Sequence, residues 1–216
     1  MNSINQIPVS ILSKIGTYEV DIHGAKVKVS LVDNSNVVVA KLQELKSSLQ
    51  TLKTRVVGVD IKFVKSDFGG SFTAKLLVLC VGTRCLIIQL QTSEVFPETL
   101  VQFLSDETIC FLGIEMSNIV RELGRRCFYH SVQGRINVKC NTGVEVGYLA
   151  AKILKKANIE KNGLAELAGE AGMDIMEPKG KCPDWNAIVF SDEEIKYAMH
   201  NAYTSYVIGN KLLGML

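Results

Sequence analysis

The sequence predicts an α/β fold in which a central mixed sheet holds three antiparallel strands followed by parallel ones, with helices on both faces. Three observations carry this. Between residues 55 and 91, three β-branched, apolar runs follow one another across short turns, the pattern of an antiparallel meander at the sheet's centre. From Pro97 the texture changes to alternating helix and strand, which implies parallel pairing covered by helices. With 216 residues, 47% hydrophobic and 21% charged, the chain has the size and composition of a single folded domain over 1-216, with an N-terminal hairpin at about 16-32 and a core at about 36-216.

The hairpin is read from "TYEVDIHGAKVKVSLV", where Tyr18, Val20 and Ile22 and then Val27, Val29 and Leu31 alternate around His23-Gly24. "NSNVVVAKLQELKSSLQTL" follows with apolar residues at helical spacing and Asn34 or Ser35 as its cap. The three meander strands are Arg55 to Phe63, Lys75 to Gly82 and Arg84 to Gln91, and the Gly-rich "DFGGSF" (Asp67 to Phe72) between the first two reads as a lip of the cleft. Then come a helix in "PETLVQFL", a strand over Thr108 to Glu115 and a helix over Ser117 to Arg126. A short extended piece, "RINVKC", precedes "GVEVGYLAAKILKKAN". The last third offers no clear strand: "GLAELAGEAG" is a short helix between Gly163 and Gly172, and a loop carries Trp185. The final helix starts at Ser191, where Ser191 and Glu194 fit the capping-box spacing.

The charge balance excludes a global basic field: Lys+Arg 24 against Asp+Glu 22 leaves +2, so a phosphate-binding surface must be a local patch. The first residues lack the charged start and apolar core of a secretory signal, and no apolar run reaches membrane-spanning length. The expected location is cytoplasmic or nuclear, away from membranes. The six cysteines include no C-x-x-C pair and read as buried, reduced thiols.

Two spacings carry chemistry. In "GVDIKF", Asp60 and Lys62 are two apart on a strand and share a face, while Val59, Ile61 and Phe63 share the other. In "YAMHNAY", Tyr197 and Asn201 are four apart on a helix and share a flank. Together with "FLGIE…REL", these resemble the motifs of the DnaQ-like, DEDDy-type 3′-5′ exonucleases. "TYEVDIHG" and "CPDWN" resemble segments of plant members of the Werner-syndrome-exonuclease-like branch, similar to the RISC-interacting clearing exoribonucleases. The resemblance runs from about Tyr18 to the end. It implies an RNase H-like fold, two-metal catalysis with Mg2+ or Mn2+, and removal of nucleotides from 3′ ends.

Carried over residue by residue, the resemblance makes Asp60 and Tyr197 the family's catalytic positions. Its other carboxylate positions fall on Lys62, Ile119 and Asn201, the second by aligning Phe111, Gly113 and Leu123 on the motif; a shift of register would bring Glu115 or Glu122 nearer. The formal charge of the cluster falls from −4 to zero, and clustered anions are what make two adjacent divalent cations tolerable. Lys62 puts an ammonium where a metal would sit and pairs with Asp60, leaving it a weak metal ligand or none. Whether the chain is still an enzyme is therefore open.

Three functions follow. The first is an exonuclease-like protein that binds single-stranded nucleic acid, RNA in preference to DNA, through Lys62, Arg121, Arg125 and Arg126, with weak or absent hydrolysis. The second is an active exonuclease whose site is rebuilt by Glu115, Glu122 or Glu145, or by a neighbouring subunit. The third is a non-catalytic scaffold, forming homo- or hetero-oligomers with related exonucleases. Blander readings compete: Asp60 and Lys62 as a strand-end ion pair, the arginines as a solvated helix face, His200 and Met199 as helix packing, and Trp185 as a loop anchor.

Overall fold

The computed structural model describes residues 6–65, 72–91, 95–178 and 180–216. In chain order the elements are β1 (Ile7–Pro8), α1 (Val9–Ile15), β2 (Tyr18–Ile22), β3 (Ala25–Val32), α2 (Ser35–Gln50), β4 (Val56–Lys65), β5 (Phe72–Val81), β6 (Arg84–Gln89) and α3 (Glu98–Leu104). They continue with β7 (Cys110–Gly113), α4 (Met116–Leu123), β8 (Cys127–His130), β9 (Gly134–Asn137), β10 (Gly143–Glu145), α5 (Val146–Leu154), α6 (Leu164–Glu170), β11 (Val189–Phe190) and α7 (Asp192–Leu213).

Seven strands form the main sheet in the order β10-β7-β4-β5-β6-β3-β2. The meander β4-β5-β6 is antiparallel and central, as its runs and short turns require, while β7 and β10 add in parallel beyond β4. The opening hairpin turns at His23-Gly24, both with positive φ, and lays β3 parallel to β6. Asn34 caps α2, its side-chain oxygen accepting from the Asn36 amide at 2.9 Å. The predicted mixed sheet with helices on both faces is what is observed.

Each face of the sheet carries its own core. One holds Val57, Val59 and Ile61 of β4, with Phe63 packed against it, under Leu42, Leu45 and Leu49 of α2, Phe103 of α3 and Leu123 of α4. The other holds Val56 of β4 and Val78 and Cys80 of β5 under Leu12 of α1 and Ala198, Met199 and Ala202 of α7. A smaller cluster joins Val146 and Ala150 of α5, Leu167 of α6 and Ile208 and Leu212 of α7. The period-two alternation of β4 therefore sends Asp60 and Lys62 to the α7 face, where the chain's longest helix crosses them.

Gly58 sets that crossing. A Cβ there would lie 1.9 Å from the Ala202 carbonyl oxygen and 2.8 Å from the Tyr206 Cβ, so α7 rests directly on the β4 backbone. Gly58→Ala should force the helix outward and destabilise the fold by about 1–3 kcal/mol, the usual toll of overpacking. A denaturant midpoint unchanged by the substitution would show that α7 can shift freely.

Four short strands differ from the sequence reading, and β1 and α1 precede its first element. The last third does hold a strand, β11, which pairs with β1; two residues are too few to leave a periodic signal. Gly143–Glu145 forms β10, and its parallel pairing with β7 is visible only in three dimensions. "RIN" belongs to β9, which pairs with the unforeseen β8 in a hairpin outside the main sheet. Of the Gly-rich lip, all but the exposed Phe72 lies outside the described residues. Cys182 is exposed and Cys110 half-buried, so the expectation of buried thiols fails at those two positions. No described helix is long and apolar enough to cross a membrane.

Candidate functional site

Asp60 and Lys62 sit in the middle of β4 under α7, 6% and 8% exposed. The Lys62 ammonium lies 2.6 Å from Asp60 Oδ2, and Asp60 Oδ1 accepts the Ile61 amide at 2.9 Å. The β4–β5 register shifts between Lys62 and Phe63, so a bulge follows the pair, a common device for aiming side chains near functional positions.

Two aromatic rings close the other side of the ammonium. Lys62 Nζ lies 5.8 Å from the Trp185 ring centre and 6.0 Å from that of Tyr197, and the two rings are 6.1 Å apart. This is cation–π distance on two faces. The four residues come from three separate places in the chain: a central strand, a loop and the first turns of α7. The strand and helix spacings thus bring Asp60, Lys62 and Tyr197 together as expected. Asn201 lies one turn beyond Tyr197 on the same flank, half-buried.

Trp185 is 4% exposed and packs on Phe190 at 6.1 Å as well as on Tyr197, which fixes its loop across the pair. Trp185→Ala should lose about 3 kcal/mol of stability, from the buried area and the void left behind. Urea unfolding measures it, and a loss near zero would mean that the indole does not anchor the loop.

His200, read from sequence as mere packing, is the residue that sequence reasoning missed. It is 2% exposed, its Nε2 lies 3.1 Å from Glu177 of the same loop, and its ring meets His23 edge-on at 5.2 Å. His23 in turn shares a hydrogen bond with Thr204 at 3.1 Å. Burial pushes the His200 pKa down, with the Lys62 charge adding to the shift and Glu177 opposing it; burial and His200 push His23 down likewise. Burial, then Cys182 and Glu177, raise the Tyr197 pKa, so its phenol keeps its proton at neutral pH. A lone histidine at a buried helix position gives no sequence signal of such a partner, since Glu177 is remote in the chain.

The remaining predicted residues do not join the pair. Ile119 is 2% exposed within the core on the opposite face of the sheet, so the ungapped register that set it on a metal-ligand position fails at this point. Glu122 is committed to Arg126 at 2.7 Å and Arg125 at 3.3 Å. Glu145 accepts the Met116 amide at 2.5 Å, where α4 begins, and Glu115 takes the left-handed backbone at that start and accepts from Asn118 at 3.1 Å. Arg126 is 6% exposed, held by Glu122 and lying over Phe96, and so is no surface contact for nucleic acid; Arg121 and Arg125 are exposed.

The donor set does not fit a divalent metal pair. One carboxylate already neutralised by a buried ammonium supplies neither the anionic charge nor the oxygen ligands that such ions require. Among the described residues no three His, Cys, Asp or Glu side chains converge.

A meander extended by two parallel strands, with a long helix laid over the Asp-bearing strand, defines the RNase H-like, DnaQ-like exonuclease fold. The solved structure of Brucella melitensis NrnC shares it at a TM-score of 0.56 and 17% identity, over 77% of this chain and 76% of that one. Curated relatives agree: the chain is 23% identical over 175 residues to the "Putative 3'-5' exonuclease R431" of Acanthamoeba polyphaga mimivirus, covering 78% of this chain and 42% of that protein. It is 24% identical over 173 residues to the human "Exonuclease 3'-5' domain-containing protein 2", covering 74% of this chain and 25% of that protein. The chain thus spans less than half the length of these relatives, and no family model matches it. Both of these sequence relatives bear 3′-5′ exonuclease names.

Proposed function

We propose that this protein is an exonuclease-like binder of single-stranded nucleic acid, RNA in preference to DNA, in which the metal site has been replaced by an ion pair and hydrolysis is weak or absent. One observation carries the reading: the Lys62 ammonium, 2.6 Å from Asp60 and within cation–π distance of Trp185 and Tyr197, occupies the space beside the first aspartate. Support for nucleic acid as the ligand comes from the exonuclease relatives and from NrnC, solved both bound to pGG and with bound Mg2+. On this reading the buried, ion-paired ammonium keeps a metal from Asp60, and the strand is held by the exposed Arg121 and Arg125. The finer placement, beside the Werner-syndrome-exonuclease-like branch and the RISC-interacting clearing exoribonucleases, belongs to the same proposal.

A second reading, a non-catalytic partner that oligomerises with active relatives, is favoured by the depth of the pair: Trp185 leaves the Lys62 side chain only 9% exposed. The rebuilt active site has less support, since Glu122 and Glu145 hold other partners. The test incubates the pure protein with labelled single-stranded RNA and DNA, with and without Mg2+ or Mn2+, and follows binding and shortening separately. Binding without shortening supports the proposal. Shortening that depends on metal and on Asp60 would establish the rebuilt site, and neither binding nor shortening would leave the partner reading.

A further inference from the structure

We infer that the β8–β9 hairpin, together with the end of α4, forms a second contact for single-stranded nucleic acid, with Tyr129 as a base-stacking platform and Arg125 and Arg135 as phosphate contacts. This rests on the reading that nucleic acid is the ligand, but on none of the residues of the Lys62 pocket.

The hairpin has one face for the protein and one for solvent. Phe128 is 7% exposed and Ile136 packs beside it against the α2–α3 side of the sheet. The alternation of strands then turns the cross-strand pair Tyr129–Arg135 outward. Tyr129 is 66% exposed, a large aromatic area that contributes nothing to that core. The Arg135 guanidinium donates to the Arg125 carbonyl at 3.3 Å, and Asn137 donates to the Gly124 carbonyl at 3.2 Å, so the outward face is tied to the end of α4. Arg125, its side chain 61% exposed, and Arg121 continue the basic surface along that helix.

Charge selects the partner. From Leu123 to Val144 the sequence holds Arg125, Arg126, Arg135 and Lys139 and no Asp or Glu, in a chain where acids and bases are otherwise nearly balanced. Cations flanking an exposed ring suit a strand of phosphates with unstacked bases, since every base presents a π-face and every link an anion. Duplex hides those faces. The hairpin packs on the sheet face opposite to Asp60 and Lys62, so this contact is distinct from the pocket.

The experiment is fluorescence anisotropy with 5′-labelled 15-nucleotide oligo-U and oligo-dT over a series of salt concentrations. It compares the natural protein with Tyr129→Ala, Tyr129→Phe and the double variant Arg125→Ala/Arg135→Ala. Tyr129→Ala should weaken binding about tenfold, within the range of base–aromatic stacking, while Tyr129→Phe should stay within about twofold because the ring remains. The double variant should flatten the slope of log K against log salt by about 1.4, the release of about two counterions from a single strand. Circular dichroism melts should overlay, since none of these side chains is buried. Binding by the natural protein that all variants retain would overturn the hairpin contact and leave the proposed function standing. Absence of any binding by the natural protein would overturn both. Equal competition by polyglutamate at matched charge would show a contact made by charge alone and overturn the stacking role.

Discussion

Lys62→Met should destabilise the protein by about 4 kcal/mol, because it leaves the Asp60 carboxylate buried without its counter-charge. Asp60 is 6% exposed, its Oδ2 faces the ammonium, and its Oδ1 accepts the Ile61 amide. Removing one member of such a pair strands an anion in low dielectric, whereas removing both exchanges the pair for apolar packing. The double variant Asp60→Leu/Lys62→Met should therefore recover most of the loss. Chemical denaturation of the two single variants and the double one closes a thermodynamic cycle. If the single variant lost less than about 1 kcal/mol, the value of an exposed ion pair, the pair would have to be open to water and the filled-site reading would lose its main support.

Incubation with Mg2+ or Mn2+ should leave single-stranded RNA and DNA essentially unshortened by the natural protein, and Lys62→Glu/Asn201→Asp should bring slow, metal-dependent 3′-5′ shortening. The substitutions put carboxylates back beside Asp60 and on the flank of Tyr197, where anions rather than an ammonium and an amide meet the entering cations. Ile119 is left alone, because an aspartate there would be buried in the core of the opposite face. A readout separate from activity is thermal melting. Mn2+ should raise the midpoint of the restored variant and leave that of the natural protein unmoved, since a ligand stabilises only a fold that binds it. Robust metal-dependent degradation by the natural protein, abolished in Asp60→Ala, would mean that its site is rebuilt from other groups.

Local signals made much of this legible. The alternation in β4 told which residues share a face with Asp60, and the Ser191–Glu194 capping box fixed the start of α7, because both are consequences of backbone geometry within a few residues. Tyr197 could be set beside Asp60 because family motifs record a contact between distant segments. Ile119 shows the limit of that method: a motif aligned without gaps ignores where α4 turns, and its apolar stripe of Met116, Ile119 and Leu123 follows the core. The arginines show another limit. Arg125 and Arg126 are neighbours in sequence, yet one is exposed and the other is buried on Glu122, because consecutive helix-end residues point in different directions.

By itself, then, the sequence determined the fold class, the order of nearly all the long elements, the pairing of Asp60 with Lys62, and the burial of Trp185. Only the tertiary structure decided that Trp185 and Tyr197 enclose the Lys62 ammonium, that Glu177 reaches His200, and that a hairpin carries Tyr129 outward. The division has a physical cause. Secondary structure follows from dihedral preferences and hydrophobic period, which act between residues a turn or a pleat apart. The Lys62 pocket, by contrast, joins β4 to segments more than a hundred residues further along the chain, and their meeting depends on how the sheet twists and how closely Gly58 lets α7 approach.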